Sequence, residues 1–128
     1  MPPTILTNAG LSLFVNTQLL RELPVEVVEV PIEKLLWHFD MPVWDKEGTD
    51  DWNLTPWQVI RDEAGSKPHR ERIDQADLVF PILVTTFHDR LVIIDGVHRL
   101  VKAYEAGNKT IQAKVIPLEL VKRKEFET

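Results

Sequence analysis

Cysteine is absent from the 128 residues, which excludes disulfides, a thiolate nucleophile and a Cys-ligated zinc, and suits a reducing cytoplasm. No apolar run approaches the roughly 20 residues of a membrane helix. The start MPPTILTNAG lacks the basic residues that open a secretory signal. A soluble, cytoplasmic protein without a membrane partner is the expectation. Positive charge is scarce too: the formal net charge is −5 and the pI is near 5.3. That balance argues against broad nucleic-acid binding, which needs a positive field to neutralise phosphates. The basic tail VKRKEF reads as a solvated surface and is too short to change this. There is no Walker loop, no GxSxG elbow, no internal repeat and no low-complexity segment. No His/Asp/Glu cluster has metal-ligand spacing, so no metal site is assigned.

What remains is an ordinary 44% hydrophobic content in a length that makes one domain with a real core. The informative stretch is LVIIDGVHRLVKAYEAGNKTIQAKVI, from Leu91 to Ile116. Its β-branched run Leu91–Ile94 reads as a buried strand that stops at Asp95-Gly96. From Val97, the spacing of Leu100, Val101 and Tyr104 predicts a helix, with Gly107-Asn108 as a left-handed stop. The alternation of Ile111, Ala113 and Val115 then predicts another strand. A strand-to-helix turn presents free backbone N–H groups and the positive end of the helix dipole, a ready anion site. Gly96 lets a ligand approach the backbone, Arg99 can fork onto phosphate oxygens, and His98 can either donate to an anion or move a proton. The plainer readings are that Asp95 is a helix cap, His98 a surface residue and Arg99 half of a surface ion pair.

Along the rest of the chain, residues 1–24 read as an irregular extension in which TQLLREL can form a short helix, with a loose Pro2-Pro3 start. VEVVEVP predicts a strand, and Pro31 is expected to open a short helix, PIEKLLWHF. Next comes an acidic loop carrying Trp44 and Trp52. Thr55-Pro56 signals a helix through PWQVIRDEA, stopped by Gly65, and another runs from Pro68 through HRERIDQA. FPILVTTFHDRLVIID reads as a hairpin turning at His88-Asp89-Arg90, with Pro81 near its start. The sum is an α+β domain with a small mixed sheet of about four strands and surrounding helices.

That element order and the segment IIDGVHRLVKAYEAGNKTIQAKVI resemble the ParB N-terminal-like and sulfiredoxin-like superfamily, over residues 25–117, with 118–128 as a tail. The resemblance implies that the DGVHR turn binds nucleotide phosphates. Val97 stands where sulfiredoxins carry their catalytic cysteine, so reduction of a sulfinic acid is excluded. The turn also departs from the GERR-type turn with which chromosome-partitioning ParB proteins hold cytidine triphosphate, and sequence-specific DNA clamping is not expected. The closest motif is that of the free serine kinase branch, with its DGHHR-like turn and an acidic residue after the first strand and short helix. By position that residue is Asp40 here.

Phosphoryl transfer asks for positioning, charge neutralisation and a carboxylate or base for the attacking hydroxyl. The amides of Gly96, Val97 and His98 with the Arg99 side chain could supply the first two. Asp40 or Asp95 could supply the third, or hold Mg²⁺ beside the phosphates. Asp40 could equally shape the turn before Met41-Pro42. His38, between Trp37 and Phe39, is a secondary candidate that reads equally as a packed, hydrogen-bonded residue. The four tryptophans read as core before they read as a stacking platform. His69 and His88 receive no role. The function expected is thus a nucleotide-binding domain (ATP, ADP or CTP, with Mg²⁺ optional) that acts as a small phosphotransferase or nucleotide hydrolase. The alternatives are a non-catalytic nucleotide-sensing or protein-interaction module and, third, a ParB-like nuclease. Neither the nucleobase, the acceptor nor the oligomeric state is legible.

Overall fold

The computed structural model describes residues 4–10 and 15–126, apart from the side chain of Lys124. Pro2 and Pro3 lie outside the described residues. The fold is α+β. Four strands, β1 (Val27–Pro31), β2 (Ile82–Phe87), β3 (Arg90–Asp95) and β4 (Thr110–Val115), form one mixed sheet in the order β1-β4-β2-β3. The β2–β4 pair is parallel; the other two are antiparallel. Six α-helices surround the sheet among the described residues: α1 (Thr4–Asn8), α2 (Thr17–Arg21), α3 (Pro56–Ile60), α4 (Lys67–Gln75), α5 (Val97–Glu105) and α6 (Leu118–Val121).

Strand β2 explains its own sequence. It is central, residues 82 to 85 are all buried, and a strand covered on both faces reads as a continuous apolar run. Ile82 and Val84 face the larger core with Leu35, Phe39, Ile73 and Leu100, while Leu83 faces a smaller core with Leu20, Ile116, Val121 and Phe126. That smaller core joins the N-terminal and C-terminal segments, and Lys114 fastens it by donating to the carbonyls of Arg21 (2.7 Å) and Leu23 (3.1 Å). Thr85 is buried yet satisfied, its hydroxyl donating to Ile116 O at 2.6 Å.

The hairpin closes at His88 and Asp89, both at positive φ (50° and 61°) as a primed turn requires. Gly107 at φ 79° ends α5, with Asn108 N–H donating to Ala103 O and Gly107 N–H to Tyr104 O, the paired bonds of a left-handed helix stop. Two helices differ from expectation. Pro31 does not open a helix: it pairs with Thr110 at the end of β1, an edge strand where proline is tolerated, and the chain continues as two 3₁₀ segments, Ile32–Lys34 and Leu36–Asp40. Helix α3 begins at Pro56 under a capping box between Thr55 and Gln58. It stops early because Asp62 turns left-handed (φ 56°) and Glu63 N–H bonds back to Gln58 O.

Strand β3 lies at the other edge of the sheet, and side chains take the place of a fifth strand. Trp37 Nε1 donates to Leu91 O (3.1 Å), and the Ile93 N–H donates to His38 Nε2 (2.9 Å). Covering an edge in this way prevents pairing with another chain.

Candidate functional site

The DGVHR turn sits where β3 hands over to α5. Gly96 caps the helix at φ 123°, and a Cβ there would lie 2.4 Å from Ile82 Cγ2 and 2.8 Å from Ile82 Cβ. Glycine is therefore demanded twice, by the dihedral and by contact with the central strand. No side chain caps α5, which leaves the first amides, Val97, His98 and Arg99, as the open donors of a helix start. Asp95 is not the cap. Its carboxylate pairs with Arg21 of α2, which also donates to Pro81 O at 3.1 Å. Arg21 thus ties the N-terminal segment to the end of β3 and to the residue that precedes β2.

Arg99 takes part in none of the ion pairs among the described residues. Its Nη1 is closed off from solvent and has no hydrogen-bond partner, alone among the buried side-chain polar atoms described. An orphaned guanidinium nitrogen is costly. Arg99 lines a cavity of about 250 Å³ together with Arg72, Gln75, Asp95, Gly96 and His98.

A second cavity of about 320 Å³ adjoins it through Arg72, with Trp44, Asp45, Asp50, Asp51 and Trp52 in its walls. Between the two stand His69 of α4 and His98 of α5. His69 Nδ1 and His98 Nε2 are 3.0 Å apart, and His69 Nε2 lies 3.0 Å from the Asp45 backbone carbonyl. Trp44 lies nearly parallel to both imidazoles, 4.7 Å from the ring centre of His69 and 4.3 Å from that of His98. The loop that carries Trp44 is pinned by its two-way pairing with Leu54 and by Lys46 N–H donating to Asn53 Oδ1 at 2.8 Å. The Arg70–Glu105 pair, in which each carboxylate oxygen accepts a guanidinium N–H, holds α4 against α5. Burial, then the neighbouring His69, Arg72 and Arg99, pushes the His98 imidazole down to about 4, so it is neutral at pH 7.

The structure thus brings together Asp95, Gly96, Val97, His98 and Arg99 and leaves the two outlying candidates elsewhere. Asp40 ends the second 3₁₀ segment, is exposed, and lines neither cavity. His38 is wholly buried; its Nδ1 donates to Leu35 O at 2.8 Å while Nε2 accepts from Ile93, so both nitrogens serve the fold. The tryptophans divide: Trp37 guards the β3 edge, Trp57 meets Phe39 edge-on in the core, Trp44 covers the histidines and Trp52 is exposed.

His69, Arg72 and Asp45 are the residues that sequence reasoning missed. The available signal was the stripe His69, Arg72, Ile73, Ala76, which puts the His and Arg on the helix face that Ile73 buries. Among the described residues no three His, Asp or Glu side chains converge on a metal position. Asp95 is the carboxylate that lines the smaller cavity, and it is already paired with Arg21. No family model, curated protein or solved structure matches this chain.

Proposed function

We propose that the chain is a nucleotide-phosphate-binding domain of the ParB/sulfiredoxin-like kind, acting as a small phosphotransferase or nucleotide hydrolase in the cytoplasm. The observation that carries the reading is the Arg99 side chain, in none of the ion pairs among the described residues, set beside an uncapped helix N-terminus in a cavity that Arg72 also lines. Two guanidinium groups and a row of amides make an anion cradle, and Gly96 lets the turn that carries it pack directly against Ile82 of the central strand. Phosphoryl transfer relies on such positioning and neutralisation rather than on covalent help from the protein.

A thermal-shift screen of ATP, ADP, CTP, GTP, phosphate and sulfate, with and without Mg²⁺, tests it. A ligand at about 100 times its dissociation constant adds roughly 2.7 kcal/mol of stability, several degrees in a domain of this size. The expected result is a nucleotide shift that disappears in Arg99→Ala. Stabilisation that survives in that variant would move the site elsewhere.

The position of Asp40, exposed and apart from both cavities, favours a second reading. In this reading the turn binds a nucleotide without turning it over and controls contacts with a protein partner. Binding without product, together with a ligand-dependent change of oligomeric state, would select it.

A further inference from the structure

The hydrogen-bond chain through Asp45, His69 and His98 dictates where its protons sit. A backbone carbonyl can only accept, so the nitrogen of His69 that meets Asp45 O, Nε2, carries the hydrogen. In a neutral imidazole the other nitrogen then holds the lone pair. His98 Nε2 must therefore be the donor to His69 Nδ1 across their 3.0 Å contact. Neutral His98 consequently has its lone pair on Nδ1. Among the described residues Nδ1 has no protein partner, and it is not one of the sealed polar atoms. His98 lines the cavity of the phosphate turn. The two rings are near coplanar (11°), and the Trp44 ring lies against both, which holds them in line.

We infer that His98 is a general base for a hydroxyl or water bound beside the phosphate turn, rather than a phosphate donor, and that His69 is the positioning residue that sets its tautomer. This deepens the phosphate-binding reading and rests on it. In the step, the hydroxyl proton passes to His98 Nδ1 while the oxygen's electron pair forms a new bond to the terminal phosphorus of a nucleoside triphosphate. The bond from that phosphorus to the bridging oxygen breaks, and its electron pair stays on the departing nucleoside diphosphate. The imidazolium that forms keeps its Nε2–H bond to His69. The His69 ring, in turn, has Asp45 Oδ1 3.5 Å from Nε2, so negative charge stands at the far end of the chain.

The charged groups around this imidazole make the base conditional. Arg72 and His69 face it from α4, Arg99 from its own helix, Asp95 from the end of β3 and, through His69, Asp45 from the loop. In the free protein burial opposes protonation most, and His69 and the two arginines add to it. A phosphate docked on them offsets their charge and raises the proton affinity of His98 toward neutrality. The base is then strongest when a substrate is in place.

The test is long-range ¹H–¹⁵N spectroscopy of the full chain labelled with ¹⁵N-histidine, at neutral pH and then through a pH titration with and without saturating ATP. Calorimetry on the same samples reports binding. The expected spectrum shows His98 protonated at Nε2 and bare at Nδ1, with its titration midpoint rising by about one unit or more on ATP binding. A hydrogen on Nδ1, or a midpoint unmoved by ATP that does bind, overturns the base assignment and leaves phosphate binding standing. The expected tautomer with no binding of ATP or phosphate overturns the phosphate reading and the base role that depends on it. His69→Asn, which keeps an acceptor near Nδ1, should preserve the tautomer and the pH profile of turnover. His69→Phe should mix the tautomers and lower turnover by about 10²-fold. Equal turnover in the two variants would reduce His69 to a packing role.

Discussion

Acid should loosen this fold between pH 6.5 and 4, and two histidines set how much. His38 is fully buried, and its Nε2 accepts the Ile93 N–H at 2.9 Å. Protonation would turn that acceptor into a donor facing another donor, in the buried interior. Burial is the main reason its pKa falls from 6.5 to about 4; the Leu35 carbonyl opposes the fall and Arg90 adds to it. His98 also falls to about 4, chiefly by burial. Within this window the unfolded chain binds more protons than the folded one, so stability increases with pH. The contribution is complete above pH 6.5 and is lost as pH drops through the folded value. A depression of that size corresponds to about 3 kcal/mol for His38 at pH 4, with a similar amount from His98. Against a typical total of about 5–15 kcal/mol, the two together bring the protein close to unfolding. Urea denaturation followed by tryptophan fluorescence at pH 7, 6, 5 and 4 measures this. His38→Gln, whose side-chain oxygen can still accept from Ile93, should remove about half of the slope. Stability that stays flat from pH 7 to 4, or a slope that His38→Gln leaves intact, would show that these histidines do not govern the acid response.

Gly96→Ala should cost about 3 kcal/mol in chemical denaturation, from backbone strain at φ 123° and from the collision with Ile82; a loss under about 1 kcal/mol would contradict the close approach. Trp37→Phe removes the 3.1 Å bond to Leu91 O and should lower stability by about 1 kcal/mol, read from the urea midpoint. Asp40→Ala should change stability by no more than about 0.5 kcal/mol, because the side chain is exposed. It should also leave nucleotide turnover intact if His98 is the base, whereas loss of turnover with binding retained would return that role to Asp40.

What could be read in the sequence was whatever depends on neighbours along the chain. The hairpin, α5, its stop at Gly107 and the strand-to-helix turn at Gly96 follow from periodicity, β-branching and left-handed residues, and each lies where those signals put it. Pro31 misled because its role depends on β1 being an edge strand, a fact of the assembled sheet. The N-terminal segment read as irregular, yet Leu20 is fully buried, since its partners Leu83, Ile116 and Phe126 lie far along the chain. The site suffers the same blindness. Arg21 and Asp95 are separated by 74 positions and His69 and His98 by 29, so no local pattern pairs them. The motif marks the strand-to-helix turn, but only the packing of α4 on α5 sets His69 Nδ1 3.0 Å from His98 Nε2.

Every role proposed for this site depends on phosphate binding at the Gly96–Arg99 turn. A crystal structure of the protein with a non-hydrolysable ATP analogue tests it most directly. A phosphate group within hydrogen-bonding distance of the α5 N-terminal amides and of the Arg99 guanidinium is the expected result. An analogue seated elsewhere, or a turn left empty at saturating concentration, would contradict it.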